Sequence, residues 1–459
     1  MLFTEPLFLF GFLPVAVGGY WLLPAQGAAR RLWILIASVA FYGAASLPWL
    51  LLLVGMTAVT YLATAYLMAG TTAPARRLGL ALVLGTLLVL GAFKYLDASA
   101  LARGSSVARV VLPIGISFYT FNLVGYGLDV YRRRVTPAAS FVDLAAYALF
   151  FPTVTSGPLM RWSELRPQLD AARPTADHFE RAVFSLTCGF AKKLLVADWL
   201  ATVGEPLWSN ASGLGLGSAW IALLSYHFRL YYDFSGYSDI AIGLGHLLGI
   251  RIPANFRAPY SARSVTDFWQ RWHITLSQWF RDYLFFPLSR ALLRHGGTRH
   301  PDLTRATSLV ITMTLIGLWH GPTPGFLVWG AYHGVLLAAN AQFFGGRART
   351  PWPLARFATT VAVLAGWVLF RSPSLAAAGG VFRGLLGGNG WGPAPTSLPG
   401  VTPAFLMLLG LLAVLTNLPR DTVDLQPRRG WIYATALAAV LVLALMRMGE
   451  PTGFIYFQF

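Results

Sequence analysis

The chain has 459 residues, of which 56% are apolar and only 12% charged, with a mean hydropathy of +0.58. A chain this apolar cannot cover itself with polar groups, which excludes a disordered, secreted or ordinary cytosolic protein. The net charge of +17 would suggest nucleic acid on a soluble chain. Among apolar spans it reads instead as short basic loops facing anionic lipid.

At roughly 20 residues per crossing, the apolar content leaves room for about a dozen transmembrane helices. The N-terminus lacks a positive leader region, so it reads as a first span and not as a cleaved signal. Apolar runs lie near 7–23, 32–54, 56–69, 78–96, 109–130, 141–157, 183–203, 218–230, 236–250, 274–288, 306–319, 325–343, 354–371, 403–418 and 430–447. Several are short, which predicts about eleven crossings plus partial and interfacial helices in an all-α fold. No alternation suits a membrane barrel.

Arg30 and Arg31, Arg76 and Arg77, and Arg132, Arg133 and Arg134 fall in every second connection. The intervening connections are nearly neutral, with Asp97 and Arg103 the charges of the second. This alternation places the N-terminus outside the cytoplasm and gives an orientation as far as residue 134. Residues 158–182 and 251–273 are basic, aromatic and too polar to span, so they read as interfacial segments. Thr175 precedes an apolar helical run as a helix start. Lys94, Lys192, Lys193 and Asp198 border spans and read as snorkelling groups. Residues 372–402, rich in Gly and Pro, read as a loop. The single cysteine, Cys188, excludes a disulfide framework or cysteine-based metal site.

Ionisable groups among apolar helices carry the functional signal, because each is expensive there. His320 closes an apolar run and is followed by Gly321–Pro322, which breaks the helix and leaves the imidazole at its end. A neutral imidazole there can take and return a hydroxyl proton. It can equally be a histidine bonded between helices. Beside it stands Trp319, and thirteen residues on His333 lies inside the next run. Over 267–288 the spacing of Phe268, Trp269, Trp272, Leu276, Trp279, Phe280 and Tyr283 predicts one amphipathic helix, with Asp267 and Arg271 paired four apart. His273 sits at the border of that face, and Arg281 and Asp282 lie deeper. Asp233 and Asp239 are two carboxylates in YYDFSGYSDIAIGLG (231–245), for which pairing with arginines is the expectation. Asp129 in turn is expected to pair with a nearby arginine. No Walker A, HExxH or GxSxG pattern is present.

Together, LPIGISFYTF (112–121), GYGLDVYRR (125–133), FFPTVTSGPLMR (150–161), YYDFSGYSDIAIGLG (231–245), NFRAPYSARSVTDFWQRWHITLSQWFRDYLFFPL (255–288), LWHG and VWGAYHG (318–334) and WVLFR (367–371) resemble the membrane-bound O-acyltransferase family. The terminal FIYFQF is similar to its bacterial alginate O-acetyltransferase branch. The resemblance implies one membrane domain over 1–459, with a motif-bearing core over about 109–371 and C-terminal spans over about 403–447. It implies a ring of tilted helices around a tunnel, with His320 as base and His273 at the family's second polar position. Asp233, Asp239, Arg281, Asp282, Trp319 and His333 remain supporting candidates.

The implied donor is acetyl-CoA, or an acyl carrier protein, acting as substrate with no bound cofactor or metal. The implied acceptor is an extracytoplasmic polysaccharide, reached directly or through a periplasmic or membrane-anchored partner. A D-alanyl or other acyl transferase, and a transporter of an acylated lipid or sugar, are the competing readings.

Overall fold

The computed structural model describes residues 1–24, 28–69, 72–102, 112–173, 175–209, 211–295, 300–344, 352–393, 397–449 and 453–455. Arg103 and the last four residues of FIYFQF lie outside them. The described chain is all-helical. Its α-helices are α1 (Leu13–Leu22), α2 (Ala28–Gly43), α3 (Leu47–Ala69), α4 (Ala73–Ala102), α5 (Ile116–Tyr131), α6 (Phe141–Ala148), α7 (Trp162–Ala171), α8 (Ala176–Phe190), α9 (Asp198–Trp208) and α10 (Leu216–Leu247). They continue with α11 (Val265–Trp269), α12 (Ile274–Phe280), α13 (Phe286–Arg294), α14 (Pro301–His320), α15 (Pro324–Phe344), α16 (Trp352–Arg371), α17 (Leu375–Leu385), α18 (Pro403–Thr416) and α19 (Trp431–Leu445). Segments Leu7–Phe12, Ala191–Ala197 and Arg281–Phe285 take π-helical turns. The chain forms two compact units, Met1–Phe190 with Tyr237–Ala254 and Gln426–Pro451, and Ala191–Gly236 with Asn255–Leu425 and Thr452–Phe459.

Among the described residues, three helical stretches are long and apolar enough to cross a membrane by themselves: Leu47–Met68, Ala73–Leu96 and Trp352–Arg371. Leu7–Leu22, Leu375–Leu385, Pro403–Thr416 and Trp431–Leu445 are apolar but shorter. The expected eleven crossings are therefore not all recovered by length and hydropathy. The reason is visible in the sequence. Helices α10, α14 and α15 are long enough, but carry Arg229, Asp233 and Asp239, Asp302 and Arg305, or His333 among small residues.

In the first unit, Phe3, Phe8, Phe12, Phe41 and Phe151 pack with ring centroids 5.0 to 6.0 Å apart. The first pair of loop arginines turns toward the protein, whereas Arg77, Arg133 and Arg134 are exposed. Arg30 donates to the Ala172 carbonyl at 2.9 Å and lies over the Tyr20 ring. Arg31 pairs with Asp143 at 3.0 Å and with Asp170. Asp129 meets Arg134 at 3.8 Å, as the sequence suggests. Thr175 accepts the His178 N–H at 3.3 Å and starts α8 as expected. Helix α5 begins at Gly115, whose φ of +74° and contact with Val154 leave no room for a Cβ.

In the second unit, α14 and α15 approach along a seam of small residues. A Cβ at Gly317 would fall 2.2 Å from the Phe326 carbonyl oxygen, and one at Gly330 would fall 2.4 Å from that of Met313. Glycines also explain why 372–402 is not all loop. Ser374 caps α17 through the Ala377 N–H, and Gly380 and Gly384 let it press against Ser212 and Leu214. Their role is close packing, which composition alone reads as a breaker.

The two runs near 218–230 and 236–250 are one 32-residue helix, α10. Asp233 does not interrupt it because the charge is met. Its Oδ1 lies 2.9 Å from Lys193 Nζ, which also holds Asp198 at 2.7 Å. Lys192 likewise reaches Asp421, at 3.2 Å. Both lysines turn into the protein, contrary to the snorkelling expectation, because buried carboxylates are available to neutralise them.

Two outcomes follow for stability in detergent. Gly330→Ala forces backbone apart along the α14–α15 seam, and should cost roughly 1–3 kcal/mol. Lys193→Met leaves Asp198 and Asp233 without their shared cation, and should cost about 3–5 kcal/mol. Thermal unfolding of the purified variants measures both, and an unchanged midpoint in either rejects the corresponding packing account.

Candidate active site

Helix α14 starts with Pro301 at its first position, where a missing N–H costs nothing. It ends at His320 because Gly321 adopts an extended conformation, φ 170° and ψ 173°, and Pro322 cannot continue the ladder. The imidazole is buried, at 5% exposure. Its walls are aromatic: Trp319 at 4.4 Å between centroids, Phe370 at 4.8 Å, Trp329 at 5.2 Å and Phe326 at 5.9 Å. A Cβ at Gly321 would press into the Phe326 ring at 2.8 Å, so the glycine both ends the helix and admits that wall.

His333, on α15, is fully buried. Its ring lies 5.2 Å from Trp269, Trp329 and Tyr332. Trp329 thus stands between the two imidazoles, edge-on to His320. On the far side is Gly366, where a Cβ would fall 2.4 Å from His333 Nε2. Neither His333 nitrogen has a hydrogen-bond partner among the described residues.

The sequence predicts an unbroken amphipathic helix over 267–288. Instead the chain turns at Gln270–His273, and α12 restarts at Ile274. The turn is made by His273 itself, in the left-handed region at φ 43° and ψ 54°. For a non-glycine residue this costs on the order of 1–3 kcal/mol and persists only when surroundings enforce it. Asn255 does so. Its backbone carbonyl accepts the Ile274 N–H at 2.9 Å. Its Oδ1 accepts from the Thr275 hydroxyl at 2.9 Å and lies 3.0 Å from His273 Nδ1. Because Oδ1 can only accept, Nδ1 carries the proton, and in the neutral ring the lone pair sits on Nε2. The neutral ring therefore offers an acceptor. Only protonation would make Nε2 a donor. Phe234 meets the ring edge-on at 4.6 Å.

The neighbour of His273, Trp272, packs 5.1 Å from Trp367. Trp367 lies 5.9 Å from Phe370, which closes on His320. His273, His320, His333 and Trp319 therefore belong to one aromatic assembly of the second unit. The other candidates have different places. Arg281 and Asp282 pair with each other at 2.8 Å on the π-helical turn. Asp267 and Arg271 pair at 2.6 Å as expected. Asp233 holds Lys193, where an arginine was expected, and its Oδ2 accepts the Ile455 N–H at 2.7 Å. Asp239 is buried in the first unit.

Asn255 is the residue that reading the sequence passes over. It is an unremarkable amide in a basic segment, 18 residues before its imidazole. A non-glycine left-handed residue gives no compositional signal that would have led to it.

With this geometry in view, the comparisons with known proteins are specific. The sequence profile described as MBOAT, membrane-bound O-acyltransferase family, matches residues 37–370. A protein of Pseudomonas syringae pv. tomato named probable alginate O-acetylase AlgI is 37% identical over 404 residues, covering 85% of this chain and 76% of its own. The peptidoglycan O-acetyltransferase of Helicobacter pylori is 32% identical over 433 residues, 85% of this chain and 80% of its own. The teichoic acid D-alanyltransferase of Streptococcus thermophilus is 33% identical over 239 residues, 50% of this chain and 56% of its own. The chain belongs to the membrane-bound O-acyltransferase family.

Proposed function

We propose that the protein transfers an acetyl group from a cytoplasmic thioester, acetyl-CoA, to a hydroxyl of an extracytoplasmic polysaccharide. The observation that carries this is His320, a buried imidazole at a broken helix end, walled by aromatic rings, within the matched family region. Acyl transfer needs a base for the hydroxyl proton and donors for the developing oxyanion. His320 takes the proton as the hydroxyl oxygen forms its bond to the thioester carbonyl carbon. Collapse of the tetrahedral intermediate breaks the carbon–sulfur bond, and the thiolate leaves with that proton. The ester stays on the acceptor. His273, its tautomer set by Asn255, orients a group donating to Nε2. Trp319 and His333 support the His320 ring.

Relatives with alginate and peptidoglycan O-acetyltransferase names align over 85% of the chain, against half for the D-alanyltransferase of Streptococcus thermophilus. This favours acetyl over D-alanyl transfer. Membership of an acyltransferase family argues against a transporter. We read the chain as one membrane domain of the bacterial inner membrane. Its short helices and long spans together make the ring of about eleven helices and central tunnel that the resemblance implies, and its N-terminus is periplasmic. A periplasmic or membrane-anchored partner completes delivery to the polymer.

His320→Ala should lower acetylation of the polymer by roughly 10²–10⁴-fold while the protein inserts at its normal level. Acetylation retained by that variant would remove His320 from the chemistry. Asn255→Leu should cost roughly 10- to 100-fold by releasing His273. Asn255→Asp, which keeps an acceptor, should restore most of that loss. Equal activity of the two Asn255 variants would show that the amide only fills space.

A further inference from the structure

Beside the aromatic assembly, three charged side chains meet in the second unit. Glu205 on α9 shares its carboxylate between Arg229 of α10 and Arg371 at the end of α16. Arg371 is held at 2.5 Å, and its guanidinium also stacks over Trp208 and Tyr226, 5.9 and 5.8 Å from their centroids. Two guanidinium groups against one carboxylate leave one positive charge in excess. The Arg229 side chain is only 4% exposed, and one Glu205 oxygen is its protein acceptor among the described residues. A guanidinium has five N–H donors. One turn earlier on α10, Tyr226 is also buried, and its hydroxyl has no hydrogen-bond partner among the described residues. A buried hydroxyl left over in this way is normally satisfied by a bound group. The Arg371 side chain is 27% exposed, so the surplus positive charge can be reached by an anion from outside.

We propose that Arg229, Arg371 and Tyr226 form an oxyanion subsite that binds a carboxylate or phosphate group of a substrate, with Glu205 as the internal anion it competes against. The planar guanidinium matches both oxyanions through paired N–H groups. The subsite adjoins the chemistry because Arg371 directly follows Phe370, whose ring lies 4.8 Å from that of His320. Its role toward a substrate rests on the acyltransferase reading. Its capacity to bind an anion does not. The carboxylate of a uronate acceptor and the phosphates of a CoA donor present the same chemistry from two sources.

The test is equilibrium binding to the purified full-length protein in detergent. The probes are a tetrameric oligouronate, CoA, and a neutral oligosaccharide of equal length as control. Arg371→Gln should weaken binding of at least one charged probe by about tenfold or more. Tyr226→Phe, which leaves every ion pair in place, should weaken the same probe by roughly threefold. Glu205→Gln should tighten it, because the competing carboxylate is gone. A merely structural ion cluster predicts no gain. An effect on oligouronate alone assigns the acceptor's carboxylate, and one on CoA alone assigns the donor's phosphate. His320→Ala should bind the probe as the parent does while losing transfer, which separates this subsite from the base assignment. The proposal is overturned if both charged probes bind Arg371→Gln and Tyr226→Phe as they bind the parent. It is equally overturned if Glu205→Gln weakens binding as Arg371→Gln does.

Discussion

The second unit depends on how closely α14 and α15 approach each other. Gly317 and Gly330 let one backbone meet the other where any side chain would collide. That contact sets the end of α14 against the start of α15, so His320 meets Phe326 and Trp329 without a long loop between them. It also brings His333 to the other side of Trp329. Dispersion contacts along such a seam are small individually, but they act over many atoms and reward close packing. The break at Gly321–Pro322 then leaves the imidazole at the end of the helix.

Burial of charge is the second organising constraint. An unpaired ion among apolar helices is expensive, so each must find a partner or do a task. The first unit spends Arg30 and Arg31 on carbonyls and carboxylates. In the second, Lys193 joins Asp198, Asp233 and through Asp233 the Ile455 backbone. The charges with full sets of partners read as structure. In the Glu205 cluster two guanidinium groups share one carboxylate, and it is there that we propose a ligand.

The three histidines illustrate the same logic at the level of single atoms. His273 is strained at its backbone and fixed at Nδ1, so its tautomer is decided by Asn255. His320 stands at a helix end against ring faces. His333 is enclosed by indoles and by the backbone at Gly366. Residues of one type, in one unit, thereby acquire different capacities from what surrounds them.

The sequence by itself determined that the chain is an apolar, helical membrane protein, because that follows from composition and run length. It also placed His320 at a helix end, because a histidine ahead of Gly–Pro at the end of an apolar run is a local pattern, and its neighbours Trp319 and Trp329 come from the same stretch. Pairs four residues apart, such as Asp267 with Arg271, were legible for the same reason. What only the tertiary structure decided were relations across long separations. The continuity of α10 through Asp233 depends on Lys193, some forty residues earlier. The break at His273 depends on Asn255, and the glycines of α17 are packing surfaces only because Ser212 and Leu214 lie against them. Hydrophobic periodicity records which face of a helix is buried. It carries no record of which distant group will neutralise a charge or accept a hydrogen bond there, and in an apolar interior that partner decides what each polar residue can do.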